Sequence, residues 1–441
     1  MAEESAVQEE SRTAQEDEAA VESTAAATLV EPDLNFVREI QNMGGDTLKR
    51  CFQCATCSVV CALSPDEKPY PRKEMIYAQW GLKDRLVNDV DIWLCHYCND
   101  CSAYCPRGAR PGDVLRAIRA ISFRHFAFPS FMGRIVGEAK YLPVMLAIPI
   151  VLLALLLVAT GNFHIPAGEE IEFSHFFPHY LVDSIFLTMA ALAILSLGFG
   201  VWNLLQGMHA NSIREGYAED KPLVPGDYVK SLISVIPPIL LHTKFKLCTV
   251  NRDRYLSHIL VLFGFVGLFV VTSIGFLGLY IIPIEALAPP YTALNPIKWL
   301  GLVSGAAVAV GTVLMILNRM KGKTAESTTS YLDGALLVVI LLTAVTGFLA
   351  WFARLGGLAG FAYTIYFFHL VCVFYIIAFL PYSKLAHLVY RTVAMGYAAY
   401  IDRPFGVEVS AAPAAAAEPV AAPAEAEAEE AEEGEEEKKE E

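Results

Sequence analysis

Six apolar runs, near residues 142 to 160, 181 to 204, 256 to 281, 297 to 317, 332 to 353 and 361 to 381, constrain this chain more than anything else in it. Each is long enough to cross a hydrocarbon layer about 30 Å thick, which takes about 20 helical residues. With 55% hydrophobic and 18% charged residues among 441, the chain holds more apolar surface than a soluble fold of that size can hide. The Lys and Arg residues orient the spans, because cytoplasmic loops carry the excess. Residues 206 to 255 hold seven of them and 318 to 331 hold Arg319, Lys321 and Lys323, whereas 161 to 180 and 282 to 295 hold none. Only Arg354 and Lys298 lie toward the opposite side. Both termini are therefore expected on the cytoplasmic face of the inner membrane.

The ends differ in composition from the rest. Residues 1 to 32 carry −8 and residues 410 to 441 carry −10, so of the whole chain's −14 the part between them, 33 to 409, carries about +4. The tail is alanine, proline and glutamate without apolar periodicity, a composition that cannot offset chain entropy by burial. Both acidic ends, 1–32 and 401–441, are expected to be disordered. The N-terminus has no basic region or apolar run of the secretory kind, so the cysteines that follow are expected to stay in the reducing cytoplasm.

Those cysteines form a repeat. CFQCATCSVVC at 51 to 61 and CHYCNDCSAYC at 95 to 105 share the spacing CxxCxxCxxxC. Three thiols at positions 1, 4 and 7 of a tight loop reach three corners of one iron–sulfur cubane, and in two-cluster arrangements the fourth cysteine of each run serves the other cluster. This assigns Cys51, Cys54, Cys57 and Cys105 to one [4Fe–4S] cluster, and Cys95, Cys98, Cys101 and Cys61 to a second. Pro106 follows Cys105 as the bacterial pattern expects, while Ala62 stands where a second proline would. The alternative is two structural zinc centres, which leaves the third thiol of each run unexplained. Cys248 and Cys372 read as packing residues, and His96 as an exposed spacer. The segment PGDVLRAIRAISFRHF, after the cysteines, has apolar residues at helical spacing with arginines between them. It reads equally as an interfacial helix on anionic lipid or as an ordinary helix packed on its own domain.

Ionisable residues inside spans are costly and mark function. His369 and His387 are separated by 18 residues in the last apolar segment, about five turns and about 27 Å of one helix, with Pro381, a residue that kinks helices, between them. His258 lies at the cytoplasmic start of the third span, at the depth of His387. Two imidazoles facing across a bundle are what a low-spin haem needs, so His258 and His387 are paired around an inner haem b. His369 needs another partner, for which His179 and His175 are the nearest in depth. Both also read as solvated loop residues. His209 and His242 rival the inner pair.

The segment WLCHYCNDCSAYCPRG, with CFQCATCSVVC before it, resembles the iron–sulfur C subunit of heterodisulfide reductases. The membrane half, with RYLSHILVLFGFVGLF and FHLVCVFYIIAFLPYSKLAH, looks like the cytochrome b subunit of those enzymes, and like the gamma subunit of respiratory nitrate reductases. The fusion of the two, over about residues 35 to 400, resembles the membrane C subunit of the quinone-interacting membrane-bound oxidoreductase family of sulfate-reducing bacteria. That resemblance implies electron exchange between menaquinone and cytoplasmic flavin and iron–sulfur subunits related to the A subunit of heterodisulfide reductase, and onward to adenylylsulfate reductase in sulfate respiration. It also implies haem ligation by His258, His369 and His387. Where the nitrate reductase pattern has a second histidine on the helix of His258, this chain has Leu268.

The expected fold is all-α: a cytoplasmic two-cluster ferredoxin-like module (33–125), then a six-span bundle of cytochrome b type (126–400). The expected role is the electron-transfer subunit of a quinone oxidoreductase complex. Its rivals are the membrane subunit of a heterodisulfide reductase, a haem-free anchor for the ferredoxin module, and an ion pump. The pump reading is weak because Asp183 and Asp333 lie at span ends with no chain of buried acids.

Overall fold

The computed structural model describes residues 31–166, 170–252, 254–282, 284–292, 294–320 and 331–403. Nearly all of both acidic ends, and Lys321 and Lys323, lie outside the described residues. Among those described, every regular element is helical.

The N-terminal module wraps around helix α1, Pro111–Phe126, which has Pro111 in its first turn and Arg124 and His125 in its last, matching the helix dipole. Twelve of its sixteen residues are buried, so the packing reading of this segment holds and the interfacial one does not. Around it lie Phe36, Ile40, Leu48, Met75, Leu86, Ile92 and Trp93, all fully buried. The six apolar runs form α2 Leu142–Ala159, α3 His179–Arg214, α5 Arg254–Tyr280, α6 Pro296–Met320, α7 Tyr331–Leu355 and α8 Ala359–Ala378. All six are long and apolar enough to cross a membrane. Between them α4, Pro225–Leu240, packs its inner face through Tyr228, Leu232, Val235 and Ile239. Its Val229, Ile233, Ile236 and Leu240 are exposed, so the apolar outer stripe sought on α1 is found here.

The last apolar segment is not one helix. Helix α8 stops at Ala378, Pro381 sits in a short 3-10 turn, and Ser383 is extended before α9, His387–Tyr400, begins. Proline lacks the N–H that an uninterrupted helix needs there and disfavours helical geometry in the residue before it. His369 and His387 therefore lie on different helices, and the five-turn phase expected to align them does not apply.

The two halves share one core. Leu204, Leu205 and Met208 of α3, Tyr228 of α4, and Tyr390, Ala394 and Tyr397 of α9 pack in the same cluster as Trp93 and Ile118. With 36 residues, α3 is about 54 Å long and overshoots a bilayer core of about 30 Å. The overshoot reaches the module: Asn211 donates to Arg85 O at 3.3 Å, and just past the helix Glu215 accepts from Tyr77 Oη at 2.8 Å and pairs with Arg85 at 3.0 Å. At the other end of the chain, Arg403 clasps the fully buried Asp91 through two hydrogen bonds of 2.6 and 2.7 Å. Asp333 at the start of α7 binds Lys384 at 2.6 Å and Arg116 of α1 at 3.5 Å, a latch between the halves.

Candidate functional site

The sequence repeat is also a repeat of backbone conformation. Gln53 and Ala55 have φ of 62° and 68°, and the matching Tyr97 and Asn99 have 53° and 68°. Left-handed backbone costs a residue with a side chain about 1–2 kcal/mol, so each loop holds local strain of the kind that collects at functional sites. Each then enters one helical turn, Thr56–Val59 or Asp100–Ala103.

This wrapping gathers the thiols around two hollows of similar size, about 350 and 320 Å³. Cys51, Cys54, Cys57 and Cys105 line one, while Cys61, Cys95, Cys98 and Cys101 line the other. The fourth thiol of each run thus lies with the first three of the other run. Burial, reinforced by neighbouring thiols, pushes Cys57 and Cys61 up to about 12, and moves Cys101 well above the ordinary range. Hydrogen bonds from Thr56 hold exposed Cys54 below it. The thiols that burial raises in this way become ligands when a cationic centre displaces their protons, as an iron–sulfur core or a zinc ion would.

The second hollow faces the membrane half. The stretch before α5 is stitched to its loop: Thr249 N and Val250 N donate to the Asp100 carboxylate at 3.0 and 2.9 Å, and Asn251 Nδ2 donates to Cys98 O at 2.9 Å. Cys248 comes with it, its sulfur close to those of Cys98 and the Asp100 carboxylate, so it is a neighbour of the thiol quartet and not a remote packing residue. His96 is likewise no exposed spacer. It lies inside, edge-on to Phe245 with ring centroids 5.0 Å apart, and burial moves it well below the ordinary histidine range. Gly112 lets α1 press on the same loop, where a Cβ would stand 2.6 Å from Asn99 Oδ1.

Phe245 also meets His258, centroids 5.7 Å apart, and His258 lies 6.2 Å from His387. Two imidazoles ligating one metal from opposite sides at about 2.0–2.1 Å have centroids about 6.4 Å apart, so this pair has the spacing a shared iron requires. Their hydrogen bonds agree. His387 Nδ1 donates to Lys384 O at 2.6 Å, and burial pushes the imidazole down to about 4, leaving a neutral ring with its Nε2 lone pair available. A carbonyl only accepts, so His242 Nδ1, 3.2 Å from Leu240 O, donates, and its Nε2 accepts from His258 Nδ1 at 2.7 Å. That leaves the Nε2 lone pair of His258 available too. Such outer partners fix the tautomer of metal-binding histidines. Of the two rivals, His242 is hydrogen-bonded to His258, and His209 is engaged elsewhere, with Tyr397 Oη and Lys221 O.

His369 sits in α8 against α7, its Nδ1 3.0 Å from Thr343 O, and Gly347 leaves space beside its ring, where a Cβ would stand 3.1 Å from Cε1. His179 is exposed at the start of α3, and His175 is exposed with Glu172 at 3.4 Å. No contact joins either to His369 among the described residues, so the structure does not bring together the outer pair expected from depth.

A family model described as a 4Fe-4S dicluster domain matches residues 47–109. The chain is 39% identical over 88 residues to the C subunit of the H(2):CoB-CoM heterodisulfide,ferredoxin reductase of Methanothermobacter marburgensis, covering 20% of this chain and 47% of that protein. It is 34% identical over 92 residues to a protein of Archaeoglobus profundus described as like the C subunit of heterodisulfide reductase, covering 21% and 49%. The chain thus spans about half the length of these relatives. A fainter likeness, 24% over 393 residues, covers 84% of this chain and 93% of the citrate utilization protein B of Escherichia coli. No solved structure matches. The N-terminal module is an iron–sulfur dicluster domain homologous to proteins of the heterodisulfide reductase C-subunit type. The protein joins that module to six helices able to span a membrane.

Proposed function

We propose that this protein is the membrane electron-transfer subunit of a quinone oxidoreductase complex, moving electrons between a menaquinone pool and cytoplasmic flavin and iron–sulfur subunits related to the A subunit of heterodisulfide reductase. Cys51, Cys54, Cys57 and Cys105 would hold one [4Fe–4S] cluster, Cys61, Cys95, Cys98 and Cys101 the other, and His258 with His387 a haem b. Bound there, these groups supply one-electron chemistry without an open coordination site. One menaquinol gives up two electrons and two protons. The chain contributes a fixed series that suits passing those electrons singly: the imidazole pair at the membrane half, the Cys61 quartet beside it, and the Cys51 quartet reaching the surface at Cys54.

The observation that carries this reading is the run of ring contacts from His387 through His258 and Phe245 to His96, within the second cysteine loop. A haem-free anchor gives no reason for three Nδ1–H groups pinned on acceptors while two Nε2 lone pairs remain on rings whose centroids are 6.2 Å apart. One haem is proposed, since His369 meets no second histidine among the described residues. Asp333, paired with Lys384 and Arg116, reads as a latch between the halves rather than as a proton carrier. Basic loops at the module's end of the bundle favour the inner membrane with the module cytoplasmic. Service to adenylylsulfate reductase in sulfate respiration rests on the family resemblance.

The module's likeness to the C subunit of heterodisulfide reductase favours one other reading, a membrane subunit of such an enzyme. The purified complex separates the two. Reduction of its haem by a menaquinol analogue supports the proposal, and reoxidation by adenylylsulfate reductase rather than by a heterodisulfide identifies the family. A colourless, zinc-containing protein would end both readings.

A further inference from the structure

Three arginines from three separate elements converge on the second cysteine loop. Arg119 of α1 donates to Cys95 O at 3.0 Å, Arg254 at the start of α5 to Tyr97 O at 2.8 Å, and Arg391 of α9 to Leu94 O at 3.2 Å. All three are half-buried. Among the described residues, none of them pairs with a carboxylate. Arg116, one turn before Arg119, pairs with both Asp113 and Asp333. The nearby Asp100 carboxylate is already occupied by two backbone N–H groups. Guanidiniums partly withdrawn from water carry a cost when no counter-ion faces them, and burial together with Arg119 pushes even Arg391 down to about 10. A negative centre belongs among them.

The Cys61, Cys95, Cys98 and Cys101 quartet is that centre, on the reading that it holds a [4Fe–4S] cluster. Four thiolates give such a site a net charge of about −2 when oxidised and about −3 after it takes one electron. Burial alone opposes the added charge and favours the oxidised form. The first quartet is differently placed: its cations, Arg72 and Arg107, are exposed, where water and salt screen them.

We propose that Arg119, Arg254 and Arg391 form a counter-charge shell that raises the reduction potential of the second cysteine site, so that this buried site accepts the electron arriving from the membrane side. Arg254 and Arg391 each stand one helical turn from a histidine of the imidazole pair, Arg254 before His258 and Arg391 after His387. The same shell therefore fixes the distance between the two redox sites. These are positioning residues, acting through the loop and its charge.

The test is a dithionite titration of the full-length protein followed by electron paramagnetic resonance, on Arg254→Gln, Arg391→Gln and the corresponding lysine variants, with haem content measured alongside. At a fixed potential, each glutamine variant should lower the reduced-to-oxidised ratio of the second cluster about tenfold, which is about 59 mV for one electron. The first cluster and the haem content should not change, and each lysine variant should stay near the wild type. A glutamine variant that loses the second cluster while its lysine counterpart keeps it supports the shell as well. An unmoved second cluster, an equal shift in both clusters, loss of the cluster from the lysine variants too, or loss of haem alone would overturn the inference. If the wild-type protein has no second cluster, the iron–sulfur reading itself fails, which is a distinct result.

Discussion

Replacing His242 by phenylalanine keeps a ring beside Phe245, now 5.6 Å away, and removes one acceptor. In the protein His242 Nε2 accepts the His258 Nδ1 proton at 2.7 Å, and its own Nδ1 is held by Leu240 O at 3.2 Å. Without that acceptor, His258 loses the bond that keeps its proton on Nδ1. In the other tautomer, Nε2 carries the proton and cannot bind a metal. Losing an outer partner of this kind costs about 10–100-fold in metal affinity, or about 1.4–2.8 kcal/mol. Haem titrated into haem-depleted protein in detergent reads this directly. His242→Phe should weaken binding within that range, His387→Ala should abolish it, and His209→Phe, whose histidine bonds to Tyr397 and Lys221 instead, should leave it unchanged. Wild-type affinity in His242→Phe would refute the tautomer relay, and haem binding by His387→Ala would refute the site.

Other outcomes follow from the same contacts. Cys61→Ala should damage the cluster centred on Cys95, Cys98 and Cys101 more than the other, as seen by electron paramagnetic resonance; equal loss of both would mean that the module unfolds. Arg403→Ala strands the buried Asp91. Breaking a buried ion pair costs about 3–5 kcal/mol, and with Lys73 still 3.1 Å from Asp91 the loss should fall near the lower end, measured as earlier thermal bleaching of the iron–sulfur chromophore. Burial raises Glu74 from 4.5 to about 8, against the pull of Lys73. Because the folded state holds this proton more tightly than the unfolded one, the stabilisation is present below about 4.5 and is lost as pH rises toward about 8. Glu74→Gln should therefore gain thermal stability over the wild type at pH 8.5 but not at pH 4.5, and a pH-independent difference would contradict this.

The membrane spans were legible because about 20 apolar residues in a row admit few alternatives, and five of the six fall within a few residues of their expected bounds. The exception, α3, runs beyond the apolar stretch because its polar end is stabilised by the module, which no local pattern announces. Which thiols share a hollow matches the grouping expected from spacing, in which three thiols on a tight loop are completed by a distant fourth. What surrounds them was not legible. Cys248 and His242 come to the second cysteine loop and to His258 through the fold of the stretch between α4 and α5, which the residues around them do not announce, and His96, inside the cysteine motif itself, is covered by Phe245 of that same stretch. Arg254 and Arg391 did leave a signal, each four residues from a proposed haem histidine. The break at Pro381 was weighed only as a kink, and the extended Ser383 turns it into a new helix that carries His387 to His258.

The most direct test of the account is reduction of the clusters by a membrane quinol with and without the imidazole pair. Wild-type complex mixed anaerobically with a menaquinol analogue and frozen should show reduced iron–sulfur signals by electron paramagnetic resonance. His387→Ala, reducible to the same extent by dithionite, should show none with the quinol. Equal reduction of both proteins by the quinol would contradict an electron path that runs from the membrane through His258 and His387 to the eight thiols.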